Sequence, residues 1–300
     1  MKTPWYPGLV AGIVLVYCSL AGVSQSNQQE IPFRLVRDNV IVVSVQVNGR
    51  GPFDFVLDTG NDITTVDSSL ADKLGLIRSG RMKQISVVGQ NAVDKSTLDN
   101  LVLGVAHTED FPVLVEDLGY FREAVPHIQG VLSQDFLSQF NYLLDYSKCI
   151  LRIESETELR DSLAGQRVPL EGRNGNSQNK MIVIAEARAL NHSTLRLVLD
   201  SGANDVVLMR DASKRLQVQV KGNRWERTAT GTVAVYAGPV QMLSLGTEKL
   251  RDVMAVSTNQ TALPFGDGLL PTSLFHSLYI NNLENFVVFN PRVEGSSPRH

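Results

Sequence analysis

Two stretches of this chain place a carboxylate where an apolar strand ends: Val56-Leu57-Asp58-Thr59-Gly60 and Val198-Leu199-Asp200-Ser201-Gly202. A lone carboxylate at the end of a water-excluding strand is costly unless a partner compensates it. The residues that follow suit a tight, hydrogen-bonded loop. Glycine lets the backbone come close and aim its N–H at the carboxylate. The hydroxyl of Thr59 or Ser201 can tie the loop to its surroundings. Where two such loops meet, two neighbouring carboxylates cannot both ionise cheaply, so the pair shares a proton. One member then acts as general base on a bound water and the other as general acid toward a carbonyl.

The elements that would deliver these aspartates are written twice. Ile41 to Val47 alternates, with Val43, Val45 and Val47 on one face and Ser44 and Gln46 on the other, the period of a half-buried strand. Asn48-Gly49-Arg50-Gly51 then supplies a turn, and Phe53-Asp54-Phe55-Val56-Leu57 returns into Asp58, a hairpin pattern. In the second half, a strand over Met181 to Leu190, a turn over Asn191 to Thr194 and a return strand from Leu195 lead into Asp200. The aspartates are 142 residues apart (200 − 58), and other features recur at that offset. Gly89 and Gly231 each lie 31 residues after their aspartate, and Gly104 and Gly246 each lie 46 after. Late in each half an apolar–Gly–apolar stretch (Gly130, Gly268) precedes a short helix candidate, Gln134 to Phe140 and Thr272 to Ser277. A closing strand pair follows each: Tyr142 to Asp145 with Ile150 to Ile153, and Leu278 to Ile280 with Phe286 to Phe289. Asp-containing turns at strand ends are common, but turn chemistry does not account for the matched glycines downstream.

Two copies of a unit this size argue for two lobes rather than a solenoid. The expected division is a leader over residues 1–25, lobes over 30–158 and 167–292, and a flexible tail over 293–300, with a polar, loose join between the lobes. The leader has an early Lys2, an apolar run from Leu9 to Leu20 and a small-residue zone, Ala21-Gly22-Val23-Ser24. It reads as a secretory signal peptide, or as an uncleaved anchor, which implies an extracytoplasmic protein, periplasmic or secreted. Cys18 is either part of that leader or a site of lipidation. Cys149 is then the one remaining cysteine, read as a buried, inert thiol. A net charge of −3 without a basic block argues against nucleic acid or an anionic membrane surface as the main partner. The five histidines are scattered without metal-ligand spacing, so neither a metal nor a cofactor is expected.

On these triplets, glycines and repeats the sequence resembles the retropepsin-like and pepsin-like aspartic proteases, over roughly residues 30 to 291. It looks like two retropepsin-type subunits fused in one chain. The resemblance implies an all-β, bilobal acid-protease fold, with two similar β-barrel-like lobes, short helices and the active site between them. It implies Asp58 and Asp200 as the catalytic pair, supported by the loop residues Thr59, Gly60, Asn61, Ser201, Gly202 and Ala203. Gly89 and Gly231 fall where the family has flap hairpins over the substrate. Gly130 and Gly268 fall where an apolar segment crosses under the active-site loop. Asp62 and Asp205 then either bind the substrate backbone or structural arginines, or are solvated loop carboxylates. Tyr236, just past the second flap, is given a packing role. The implied activity is endopeptidase cleavage of peptide or protein substrates by a monomer with pseudo-two-fold symmetry. Its membrane attachment would come only through an uncleaved N-terminal segment. Two departures carry the alternative of a catalytically inactive peptide-binding protein. Asn61 replaces the family's small residue, in a position to crowd the pair or to hydrogen-bond substrate, and the flaps lack multiple glycines.

Overall fold

The computed structural model describes residues 29–37, 39–86, 89–122, 125–154, 158–171, 184–219, 221–228, 231–259 and 266–293. The leader with Cys18, most of the tail, part of the join (172–183) and residues 87–88 and 229–230 lie outside the described residues. The fold is all-β and bilobal, with barrel-like sheets and short helices. Among the described residues no helix is long and apolar enough to cross a membrane.

The first hairpin forms as its alternation predicts. Strands Val40–Val47 and Arg50–Asp58 pair antiparallel, Val42 opposite Val56 and Val47 opposite Arg50. Asn48 and Gly49 make the two-residue connection at φ 49° and 67°, the left-handed pair that matches strand twist. Val43, Val45 and Val47 join the main core, while Ser44 and Gln46 are exposed. The opposite face is not wholly polar. Val40, Val42 and Val56 pack there against Leu118, Val125, Ile128 and Val131 in a second apolar cluster. That cover explains why Val56 can be apolar on the face that alternation would assign to solvent. In the second half, Ile184–Ala189 pairs antiparallel with Thr194–Asp200, Ile184 opposite Val198.

Each return strand is flanked by a parallel neighbour. Gly130–Ser133 aligns Gly130 with Phe55 and Ser133 with Asp58. Gly268–Pro271 aligns Gly268 with Leu197 and Pro271 with Asp200. Phe55 and Leu197 differ by 142 positions, so the two glycines are equivalent in the fold although 138 residues apart in sequence. Each half also carries a long hairpin. Arg81–Ser86 pairs with Gly89–Leu103 and closes at Ser86 opposite Gly89. Gly222–Thr228 pairs with Gly231–Leu245 and closes at Thr228 opposite Gly231.

The halves are joined by a shared sheet. Its order is Gln29–Pro32, Ile150–Glu154, Asn141–Asp145, Ser277–Asn281, Phe286–Phe289 and Arg167–Glu171. The central pair crosses between halves, Tyr142 opposite Ile280 and Asp145 opposite Ser277.

Several expectations need correction. The helix candidates are shorter: Gln134–Leu137 is helical, and Thr272–Leu274 makes a single 3₁₀ turn. Sheet pairing wins over the local pattern, since Ser277 is taken by Asp145 and the N–H of His276 by Asn290 Oδ1 at 2.9 Å. The join is not uniformly loose. Glu158–Ser162 is helical, with Leu159 fully buried against Leu143, Tyr279 and Phe286. Glu154 is buried too, accepting from Tyr279 Oη at 2.6 Å and Arg160 N at 3.0 Å. Cys149 is half-buried rather than buried, because it occupies the turn between two closing strands at φ 54°.

Candidate active site

The parallel neighbours end both return strands at the same depth, and each strand delivers its aspartate into a loop that faces the other. The Gly60 N–H donates to Asp58 Oδ1 at 3.0 Å, and the Gly202 N–H donates to Asp200 Oδ1 at 2.7 Å. Thr59 and Ser201, 0% and 2% exposed, interlock across the axis. Thr59 N donates to Ser201 Oγ (3.0 Å) and Ser201 N to Thr59 Oγ1 (3.0 Å). Each hydroxyl then donates onward to the carbonyl preceding the opposite aspartate, Thr59 Oγ1 to Leu199 O (2.7 Å) and Ser201 Oγ to Leu57 O (2.7 Å). All the polar groups of this crossing are satisfied without water, which is what makes its burial affordable.

The crossing brings the carboxyls together. A Cβ built on Gly60 would lie 2.3 Å from Asp200 Cγ, and one on Gly202 would lie 2.9 Å from Asp58 Cγ. No side chain fits at either place, so glycine is required by close approach rather than by backbone conformation. Each carboxyl thus lies against the opposite loop, and the charge of Asp58 acts on Asp200. Burial raises both above the usual carboxylate range. Asp200, 7% exposed, is raised well above it, since the charge of Asp58 adds to the burial. Asp58 is the more open of the two, and the N–H groups of Gly60 and Asn61 pull it back down.

The side chain of Asn61 does not crowd the pair. Its Nδ2 donates to Ile63 O and to Ser133 Oγ, both at 3.0 Å, and the Asn61 backbone carbonyl accepts from Gln134 N at 3.0 Å. Its backbone N–H serves Asp58 as that of Ala203 serves Asp200. Asp62 and Asp205 are not equivalent to each other. Thr65 and Val207 occupy matching register positions, so Asp62 corresponds to Asn204 and Asp205 to Ile63. The electrostatic neighbour of Asp62 is a like charge, Asp135, and burial raises the Asp62 carboxyl. Gly89 and Gly231 each sit where a long hairpin closes. Tyr236 is 45% exposed rather than packed, since its strand position opposite Ser257 faces an open cleft of about 250 Å³ shared with Arg210 and Lys214. Among the described residues no group of His, Cys, Asp or Glu is arranged to hold a metal ion.

Sequence reasoning missed Asp135. Its carboxylate accepts from Thr64 N (2.9 Å) and Thr64 Oγ1 (2.6 Å), bracing the first loop from behind. Burial pushes its pKa up to about 6, with the nearby Asp62 adding to the shift. The constant 142-residue offset could not expose its place in the repeat. From aspartate to underlying glycine is 72 residues in the first half and 68 in the second, so the register of Asp135 falls on Ser273.

Both halves match known families: residues 43–136 match an aspartyl protease family and residues 165–275 the gag-polyprotein aspartyl protease family. A crystal structure of a retropepsin-like aspartic protease from Rickettsia conorii is 22% identical, over 42% of this chain and 89% of that one, with a TM-score of 0.32. A likeness that slight bears no weight. A search of curated proteins found no match. Each half thus matches an aspartyl protease family, in agreement with the resemblance of the sequence to the retropepsin-like aspartic proteases.

Proposed function

We propose that this chain is an aspartic endopeptidase in which Asp58 and Asp200 together activate one water for attack on a peptide carbonyl. The observation that carries the reading is the apposition of the two aspartate loops, each glycine against the opposite carboxyl and both loops held by reciprocal Thr59–Ser201 crossing bonds. Asp58, with the smaller upward shift, is the general base that takes the proton of the attacking water. Asp200, which holds the shared proton, donates it to the carbonyl oxygen as the tetrahedral intermediate forms. The backbone N–H groups of Gly60 and Gly202 fix one oxygen of each carboxyl, leaving the others toward water and substrate. Gly89 and Gly231, at the closing ends of the long hairpins, would cover an extended peptide. The inactive-binder alternative leaned on Asn61, whose amide is engaged with Ile63 and Ser133. One chain supplies both halves of the site, so the proposed enzyme works as a monomer. The apolar leader in the sequence supports an extracytoplasmic location.

The test is cleavage of an unfolded-protein or peptide library by the purified chain, beside Asp58→Asn and Asp200→Asn. Each variant should lower kcat by about 10³-fold or more while retaining binding of a transition-state-type peptide inhibitor within an order of magnitude. A wild-type chain that cleaves nothing from acidic to neutral pH and binds no such inhibitor would sink the reading.

A further inference from the structure

Behind the two aspartates lies a second crossing between the halves. Ser133 and Pro271, the residues aligned with Asp58 and Asp200, are followed by Gln134 and Thr272, both fully buried. Each of these is bound by a residue of the opposite half. The hydroxyls of Thr272 and Tyr146 are hydrogen-bonded at 2.6 Å. Gln134 Nε2 donates to Asn282 Oδ1 at 3.2 Å, and Gln134 Oε1 accepts from Tyr142 Oη at 3.2 Å. Asn282 is itself fixed, donating through Nδ2 to Leu137 O (3.1 Å) and Phe140 O (2.6 Å).

Tyr146 and Asn282 hold the same place in the repeat. Each comes one residue after a central strand of the shared sheet, Asn141–Asp145 and Ser277–Asn281, whose antiparallel pairing carries it over to the other half. The Tyr146 N–H also donates to His276 O at 2.9 Å, so backbone and side chain grip the second half together. Nothing in the catalytic reading uses these residues.

We propose that Tyr146 and Asn282 are positioning residues for the aspartate pair. Each reaches across the axis and fixes the residue that follows the strand underlying the opposite half's aspartate. Through Thr272 and Gln134 they set the depth at which the two carboxyls meet. The Thr59–Ser201 crossing ties the loops in front, and this one ties the strands behind. Two tethers per aspartate are what a pair held this close needs, because small displacements of reacting groups are costly to rate. The half-buried Tyr146 feels the charge of Asp200, which places it within electrostatic reach of that carboxyl.

This inference rests on the peptidase reading, and the experiment separates the two. Kinetics and thermal stability are measured for wild type, Tyr146→Phe, Thr272→Val, Thr272→Ser and the double variant Tyr146→Phe/Thr272→Val. Tyr146→Phe and Thr272→Val should each lower kcat about tenfold or more with KM little changed. Thr272→Ser, which keeps the hydroxyl, should retain kcat. The double variant removes both polar partners, so its melting temperature should recover toward wild type while its kcat stays at the single-variant level. Recovery of kcat along with stability would show a structural role only and overturn the proposal, as would single variants as fast as wild type. If the wild-type chain turns nothing over, the peptidase reading fails and this inference falls with it.

Discussion

The two halves share a backbone plan and differ in how they hold it. In the first half the supports are polar. Asn61 binds Ser133, Thr64 binds Asp135, and Asp67 caps the helix Ser68–Leu74 while pairing with Arg122. At the corresponding positions of the second half stand Ala203 and Pro271, Val206 and Ser273, and Met209 before the helix Arg210–Arg215. Met209 is 1% exposed and makes no cap; its sulfur accepts from Thr258 Oγ1 at 3.8 Å. Val206 lacks the hydroxyl of Thr64 while Ser273 keeps one, but Asn61 and Ser133 give way together to Ala203 and Pro271. That is what burial demands, since an unpaired polar group costs far more than an absent pair. The positions of the front crossing do not diverge. Thr59 and Ser201 are both hydroxyls and Gly60 and Gly202 are both glycines, because each must satisfy the other half.

The comparison breaks most sharply at the glycines. Gly60→Ala would put a methyl 2.3 Å from Asp200 Cγ, and Gly202→Ala would put one 2.9 Å from Asp58 Cγ. Both should lower kcat, Gly60→Ala by about a hundredfold or more, and Gly202→Ala by less. Kinetics on a peptide substrate check the order. Equal losses would mean the two loops relax alike and that the closer approach is immaterial.

The next effect is on stability. Asp67→Ala removes a helix cap and the acceptor for Leu118 N (3.1 Å), at a cost of about 2–4 kcal/mol. The reciprocal change, Met209→Asp, offers a cap residue to the second helix but buries a carboxylate without an arginine such as Arg122. It should destabilise by about 3 kcal/mol or more. Urea denaturation decides; a neutral Met209→Asp would show that the halves' supports are interchangeable.

What was legible in the sequence follows from this division. The hairpins, the aspartates and the glycines were readable because strand alternation and close approach restrict residue type at fixed spacing. Gly104 and Gly246 share φ 60° at the ends of matched strands, so they recur at a constant interval. The supports were not readable. Asp135, Tyr146 and Asn282 act through partners distant in sequence, and the four-residue difference between Asp58–Gly130 and Asp200–Gly268 destroys the offset that would have aligned them. Asn61 was misjudged for the same reason: its partner, Ser133, lies 72 residues away.

The smallest effect concerns pH and tests whether the first half alone carries a titrating support. The Asp135 carboxyl, near 6 in the folded chain against 3.8 for an ordinary aspartate, binds its proton more tightly when folded. Stability from this group is therefore full below pH about 4, falls as pH rises toward about 6, and is level above, a change of about 1–3 kcal/mol. Asp58, Asp62 and Asp200 are shifted in the same direction, so the measurement is a difference. Asp135→Asn should flatten part of the wild-type decline in urea-denaturation free energy across that window. Ser273→Ala, at the corresponding position of the second half, should leave the slope as it is, since a serine hydroxyl binds no proton there. A gap between Asp135→Asn and wild type that stays constant from pH 4 to 6 would mean Asp135 is already ionised in the fold. The hydrogen bonds from Thr64 would then outweigh its burial, and the polar supports would behave electrostatically as the apolar ones do.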